Sequence, residues 1–106
     1  MTSQKEWKSC FRHDLLCGKV ALVTGGGTGI GRAIAQELAS IGAIAVIASR
    51  DEGKCREAAE EMNALLEDRC QGKVESGPSC SIRDEEQVEN LVSIIYSSTY
   101  LSLSAP

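Results

Sequence analysis

The chain has 106 residues, with 15 acidic against 11 basic side chains and a formal net charge of −4. That length suits one small domain, and the acidic balance argues against nucleic acid as the main partner. Hydrophobic content of 42% and charged content of 25% are ordinary for a globular protein, and no apolar run approaches the ~18–20 residues of a membrane span. Five scattered cysteines include no C-x-x-C pair, so neither a disulfide framework nor a metal site is expected.

Residues 1–17 read as an N-terminal lead-in. Trp7, Phe11 and Leu15 recur every fourth residue, the spacing of a short amphipathic helix. No secretory apolar core is present, and Glu6 and Asp14 interrupt the basic residues as a mitochondrial presequence does not.

The domain proper is expected over 18–96. Lys19–Thr24 reads as a buried strand, and Gly29–Ile41 as a helix with Ile30, Ile34, Leu38 and Ile41 on its inner face and Gly42 at its C-terminal end. Ala43–Ser49 is a second apolar strand, rich in Ile and Val as buried parallel strands are. Asp51 is placed to cap a second helix, running to about Asp68, with Cys55, Ala58, Ala59, Met62, Leu65 and Leu66 inward. Lys73–Cys80 is a third strand, made irregular or marginal by Gly77 and Pro78. Asp84 and Gln87 form a capping-box-like start to a third helix, with Val88, Leu91, Val92 and Ile95 as its apolar stripe. Residues 97–106 form a serine-rich tail that leaves the helical pattern, either unstructured or as a short strand.

This β-α-β-α-β-α order predicts an α/β fold: a partial Rossmann-like, doubly wound layer of three parallel strands in spatial order 3-2-1 with three helices. The first strand is then an edge, with unpaired backbone groups open to self-association or to a longer subunit.

Between the first strand and first helix lies Thr24-Gly25-Gly26-Gly27-Thr28-Gly29-Ile30-Gly31. Its spacing is not G-x-G-x-x-G but T-G-x-x-x-G-I-G, with glycines at 25, 29 and 31. Gly25 lets the chain turn off the strand, Gly29 lets backbone approach a pyrophosphate, and Gly31 lets the helix lie close to the sheet. A helix N-terminus favours such an anion through its free N–H groups and dipole. At the end of the second strand, where a carboxylate would hold the ribose of NAD, the chain has Ser49-Arg50. A hydroxyl and a forked guanidinium suit a 2′-phosphate, so NADP (NADPH) is expected over NAD. Arg32 adds positive charge to the first helical turn, while Asp51 and Glu52, which follow Arg50, offset part of its preference for the 2′-phosphate.

TGGGTGIGRAIA, the VIASR strand end and CSIRDEEQV resemble the short-chain dehydrogenase/reductase family over about residues 18–95. Within it, the segments most resemble the peroxisomal trans-2-enoyl-CoA reductases, with the 2,4-dienoyl-CoA reductases next. The resemblance implies an NADPH-dependent reductase of fatty acyl-CoA in lipid metabolism. It implies cofactor contacts at Gly25, Thr28, Gly29, Ile30 and Gly31 for the pyrophosphate and at Ser49 and Arg50 for the 2′-phosphate. Ser81 stands where the family often has an adenine-side Asp, and Ile82 is implied through its backbone. The family's N-N-x-G and Y-x-x-x-K motifs are absent: neither Tyr96 nor Tyr100 has a lysine four residues on, and the single histidine, His13, precedes the first strand. The chain therefore reads as an N-terminal fragment with no catalytic residue of its own, and acyl-CoA is a partner only of full-length relatives. The family points to the peroxisome. The chain itself, ending Ser104-Ala105-Pro106 without the small-basic-apolar tripeptide, points to the cytosol.

Overall fold

The computed structural model describes residues 10–25, 27, 29–66 and 72–104. Its elements are β1 (Val20–Thr24), α1 (Gly29–Ser40), β2 (Ile44–Ala48), α2 (Glu52–Ala64), β3 (Lys73–Ser76) and α3 (Glu85–Ser104). The strands form one parallel sheet with β2 between β1 and β3, which is the expected 3-2-1 order. Val20 is in register with Ile44 and Thr24 with Ala48; Ile44 is in register with Lys73 and Ile47 with Ser76. Central β2 is buried on both sides, which is why it reads as a continuous apolar run rather than an alternating one.

On one face α1 and α2 close a core. Val23, Ala45, Ile47 and Val74 from the strands meet Ala35 and Ala39 of α1 and Cys55, Ala58, Ala59 and Met62 of α2. The expected inner face of α2 is found, with Leu66 packed at its margin. The inner face of α1 is the expected one only in part: Leu38 packs against the core and Ile41, just past the helix, is buried, but Ile30 and Ile34 are not. Ile30 is 81% exposed and Ile34 is also exposed, while Ala35, Gln36, Ala39 and Ser40 are buried. Small side chains let the helix backbone lie against the sheet, and the larger isoleucines turn outward. Buried Gln36 is satisfied by donating from Nε2 to the Met62 carbonyl at 3.0 Å, tying α1 to α2.

Local signals set the ends of the elements. The Asp51 carboxylate accepts from the Lys54 N–H at 3.0 Å, capping α2 as its sequence position predicts. That helix ends at Ala64, short of the expected limit near Asp68; residues 67–71 lie outside the described residues. The β3 strand stops at Ser76, before Gly77 and Pro78. Asn63 holds its outer edge, accepting from the Val74 N–H at 2.8 Å and donating to the Val74 carbonyl at 2.9 Å. The α3 cap is an altered box. Asp84 accepts from the Glu86 and Gln87 N–H groups, but the Gln87 side-chain oxygen reaches the Ser81 N–H rather than that of Asp84.

Two further expectations fare differently. Residues 10–18 form bends and turns, with Phe11 and Leu15 exposed, so no amphipathic helix forms there; Trp7 lies outside the described residues. Residues 97–104, expected to leave the helical pattern, continue α3. No glycine or proline interrupts them, and extending an existing helix avoids the cost of nucleating one.

Candidate functional site

The carboxyl ends of all three strands open on one cavity of about 340 Å³. Thr24 and Gly25 from the end of β1 and Ala48, Ser49 and Arg50 from the end of β2 line one part of it. Cys80, Ser81, Ile82 and Arg83, between β3 and α3, line the rest. The crevice outside the carboxyl ends of an open parallel sheet is where such folds bind ligands.

The glycine loop has the backbone that its sequence demands. Gly25 (φ +68°) and Gly29 (φ +60°) both occupy the left-handed region, where a side chain would be strained. Gly25 also donates its N–H to the Ala48 carbonyl at 2.8 Å, turning the chain off β1 over the end of β2. The first turn of α1, Gly29-Ile30-Gly31-Arg32, carries no acidic side chain to compensate the helix dipole.

Of the residues expected in the site, Gly25, Ser49, Arg50, Ser81 and Ile82 meet around the cavity. Gly29, Ile30 and Gly31 open α1 beyond its wall, and Thr28 lies outside the described residues. The Ser49 hydroxyl is engaged locally. It accepts from the Asp51 N–H at 3.2 Å and lies 3.3 Å from the Asp51 carbonyl and 3.2 Å from the Cys55 Sγ. Arg32 does not charge the glycine loop as expected; its guanidinium pairs with Glu61 of α2 at 2.8 Å. The Asp51 carboxylate, expected to offset Arg50, accepts the helix-cap bond and forms no ion pair with Arg50.

The loop that carries Ser81 to Arg83 is stitched to the end of β2. Cys80 donates its N–H to the Ser49 carbonyl at 2.8 Å, and the Ser79 hydroxyl donates to the Arg50 carbonyl at 2.8 Å. Reading the sequence for a site missed Arg83; its only local signal is a basic residue directly after Ser81-Ile82. At the opposite end of the sheet, the Arg12 guanidinium holds the exposed Asp14 carboxyl below its usual range, which leaves the cavity untouched. Among the described residues no group of histidine, cysteine and carboxylate side chains is arranged to hold a metal ion, and no helix is long and apolar enough to cross a membrane.

A model of the short chain dehydrogenase family matches residues 19–100. The chain belongs to this family. It is 41% identical over 93 residues to a tropinone reductase homolog of Arabidopsis thaliana, covering 87% of this chain and 30% of that protein. It is 38% identical over 82 residues to the peroxisomal 2,4-dienoyl-CoA reductase of Saccharomyces cerevisiae, covering 77% and 27% respectively. Among solved structures, it superposes on the citronellol catabolism dehydrogenase of Pseudomonas aeruginosa with a TM-score of 0.76 at 39% identity, covering 88% of this chain and 36% of that one. A metagenomic short-chain oxidoreductase in complex with NADP superposes with a TM-score of 0.69 at 33% identity, covering 79% and 35%. The chain thus spans about a third of the length of the proteins it matches, and the short-chain dehydrogenase family uses NAD(P).

Proposed function

We propose that this short-chain dehydrogenase chain forms the adenine-side half of an NADP site, and that in its longer relatives this half-site serves the reduction of fatty acyl-CoA. The observation that carries the reading is the convergence of Gly25, Ser49, Arg50, Ser81 and Ile82 on one cavity at the carboxyl ends of the strands. Gly25, with Gly29, Ile30 and Gly31 at the start of α1 and Thr28 between them, serves the pyrophosphate through backbone N–H groups. Arg50, with no side-chain partner among the described residues, serves the 2′-phosphate. Ser49 joins it by turning its hydrogen from its local acceptors, and Ile82 meets the adenine through its backbone. Bound NADPH supplies a hydride. The proton handling that completes a reduction needs a tyrosine-lysine pair, and the 106 residues contain no Y-x-x-x-K, so they are expected to bind without turnover.

The acyl-CoA assignment draws on the resemblance of SIRDEEQV to enoyl-CoA reductases and on the yeast dienoyl-CoA reductase relative, which also supports a peroxisomal setting for the full-length form. A test is titration of the purified chain with NADPH and NADH by calorimetry. The expected result is a preference for NADPH of roughly tenfold or more, lost in Arg50→Asp. Equal binding of the two cofactors, or none, overturns the reading.

A second reading is a non-catalytic module that associates with longer subunits or with itself. It draws on a shallow apolar groove beside β1, lined by Val20, Leu22, Val92, Ile95 and Tyr96. The groove lies where, among the described residues, β1 has a strand on one side only.

A further inference from the structure

Five arginines have described side chains, and their partners separate them into two groups. Arg12 pairs with Asp14, Arg32 with Glu61 and Arg56 with Glu52. Arg50 and Arg83 pair with no carboxylate among the described residues, and they are the two arginines that line the cavity at the strand ends.

Their freedom is not for want of acids nearby. In a chain with more acidic than basic residues, Arg50 is followed directly by Asp51 and Glu52, and Arg83 by Asp84 and Glu85. Three of these four acids are engaged elsewhere. Asp51 caps α2 through the Lys54 N–H, and Glu52 pairs with Arg56. Asp84 caps α3 through the Glu86 and Gln87 N–H groups and accepts from the Gln87 amide at 3.1 Å. Asp51, Glu52 and Asp84 are thus turned to helix starts and to Arg56, and none of them forms an ion pair with Arg50 or Arg83.

The loops bearing the arginines are fixed to one another by the Cys80-to-Ser49 and Ser79-to-Arg50 hydrogen bonds, both 2.8 Å. The Ser81 hydroxyl accepts from the Arg83 N–H at 3.3 Å, holding the turn that presents Arg83. Among the described residues no acidic residue lines the cavity. Two guanidinium forks without an ion-pair partner, on one hydrogen-bonded wall whose described lining holds no carboxylate, suit a dianionic phosphate monoester better than a neutral hydroxyl pair.

We infer that Arg83 is a second phosphate-specificity residue: Arg50 and Arg83 together clamp the ribose-bound 2′-phosphate of NADPH. This rests on the NADP half-site proposed above and adds to it a residue from the loop after β3. Both forks must reach the same phosphate, so removing either costs most of the discrimination.

The test is calorimetric titration of the full chain with adenosine 2′,5′-bisphosphate, adenosine 3′,5′-bisphosphate and adenosine 5′-monophosphate, for the native sequence, Arg50→Gln, Arg83→Gln and Arg83→Lys. The native chain is expected to prefer the 2′,5′-bisphosphate. Arg83→Gln is expected to weaken that ligand roughly tenfold while leaving the monophosphate unchanged. Arg83→Lys, which keeps the charge but not the fork, is expected to fall between. A 2′-phosphate preference that persists in Arg83→Gln but vanishes in Arg50→Gln overturns the role of Arg83 and leaves the half-site intact. No 2′-phosphate preference in the native chain, or tighter binding of the 3′,5′-bisphosphate, overturns the clamp together with the NADP assignment. Arg83 is an exposed loop residue, so an unchanged thermal midpoint in its variants attributes any loss to the ligand contact.

Discussion

On one face of the sheet, α1 and α2 bury Val23, Ala45, Ile47 and Val74 beneath a continuous layer of small and medium side chains. On the other, α3 covers Ala48 through Leu91, with Val88 and Ile95 half-buried at the margin, and leaves Leu22, Val92 and Ile94 in solvent. The two edges differ in the same sense. Asn63 satisfies Val74 along the outer edge of β3, whereas among the described residues β1 has no strand on its outer side. The difference shows that the first three α/β units do not share one core. The α1/α2 face closes with residues from a single run of sequence, while the α3 face presents apolar surface beyond what α3 covers. The candidate site draws Ala48 and Cys80 from the α3 face, yet its loops are pinned to the end of β2, the one strand buried on both sides.

The sharpest way to break this comparison is at the tightest contact on the closed face. A Cβ added at Gly72 would lie 2.0 Å from the Ala39 carbonyl oxygen and 2.7 Å from that of Ala43. Both are backbone atoms, so no rotamer change relieves the clash. Gly72→Ala is expected to cost about 3 kcal/mol or more in urea unfolding. A cost below ~1 kcal/mol would mean that α1 and the start of β3 are not held as closely as the geometry says.

The next test compares the faces directly. Met62 and Leu91 are both nearly sealed from solvent, at 0% and 2% exposure, so burial alone predicts equal costs of truncation. Their surroundings differ. Met62 sits among helix and strand residues that cannot collapse inward, whereas Leu91 belongs to a three-residue cluster with solvent at its margin. Met62→Ala is expected near ~4 kcal/mol and Leu91→Ala near ~2 kcal/mol, because the cost depends on how far the site can relax. Equal losses in chemical denaturation would remove the distinction between the faces.

Most of the closed face was legible in the sequence because its signals are local. Apolar runs of strand length, Asp51 before α2, and glycines at 25 and 29 each carry their own reason for being there. Periodicity held at Leu38 and Ile41 but failed on the first turns of α1 for a physical reason. Ile30 and Ile34 mark an apolar stripe, but periodicity does not say which stripe has a partner, and the close approach belongs to Ala35 and Ala39. In the site, Ser49 and Arg50 were legible from their place at a strand end. Arg83 was not, because its part depends on hydrogen bonds from Ser79 and Cys80 to residues about 30 positions earlier in the chain. Arg32 misled for the same reason: Glu61, which takes up its charge, is 29 residues away. The Gln36 and Asn63 side chains read as ordinary polar residues until the carbonyls they satisfy are in place.

The smallest expected effect bears on what the open face is for. A single exposed apolar residue needs no explanation, but Val92 stands with Val20, Leu22, Ile95 and Tyr96 along one groove beside the single-sided strand. If that surface is only exposed, Val92→Ser removes nothing that folding depends on, and stability is expected to change by no more than ~0.5 kcal/mol. If the surface also drives association, the same variant lowers it, because a polar side chain weakens burial of the groove. Size-exclusion chromatography over a range of concentrations is therefore expected to show the native chain moving toward larger species as concentration rises, and Val92→Ser moving less. A stability loss above ~1 kcal/mol would show that Val92 is packed in solution and the α3 face closed. A native chain that stays monomeric throughout would show an open face without a role in association. The contrast between the two effects matters more than either alone: on the closed face a polar substitution is paid for in folding, whereas on the open face its cost falls on contact with another molecule.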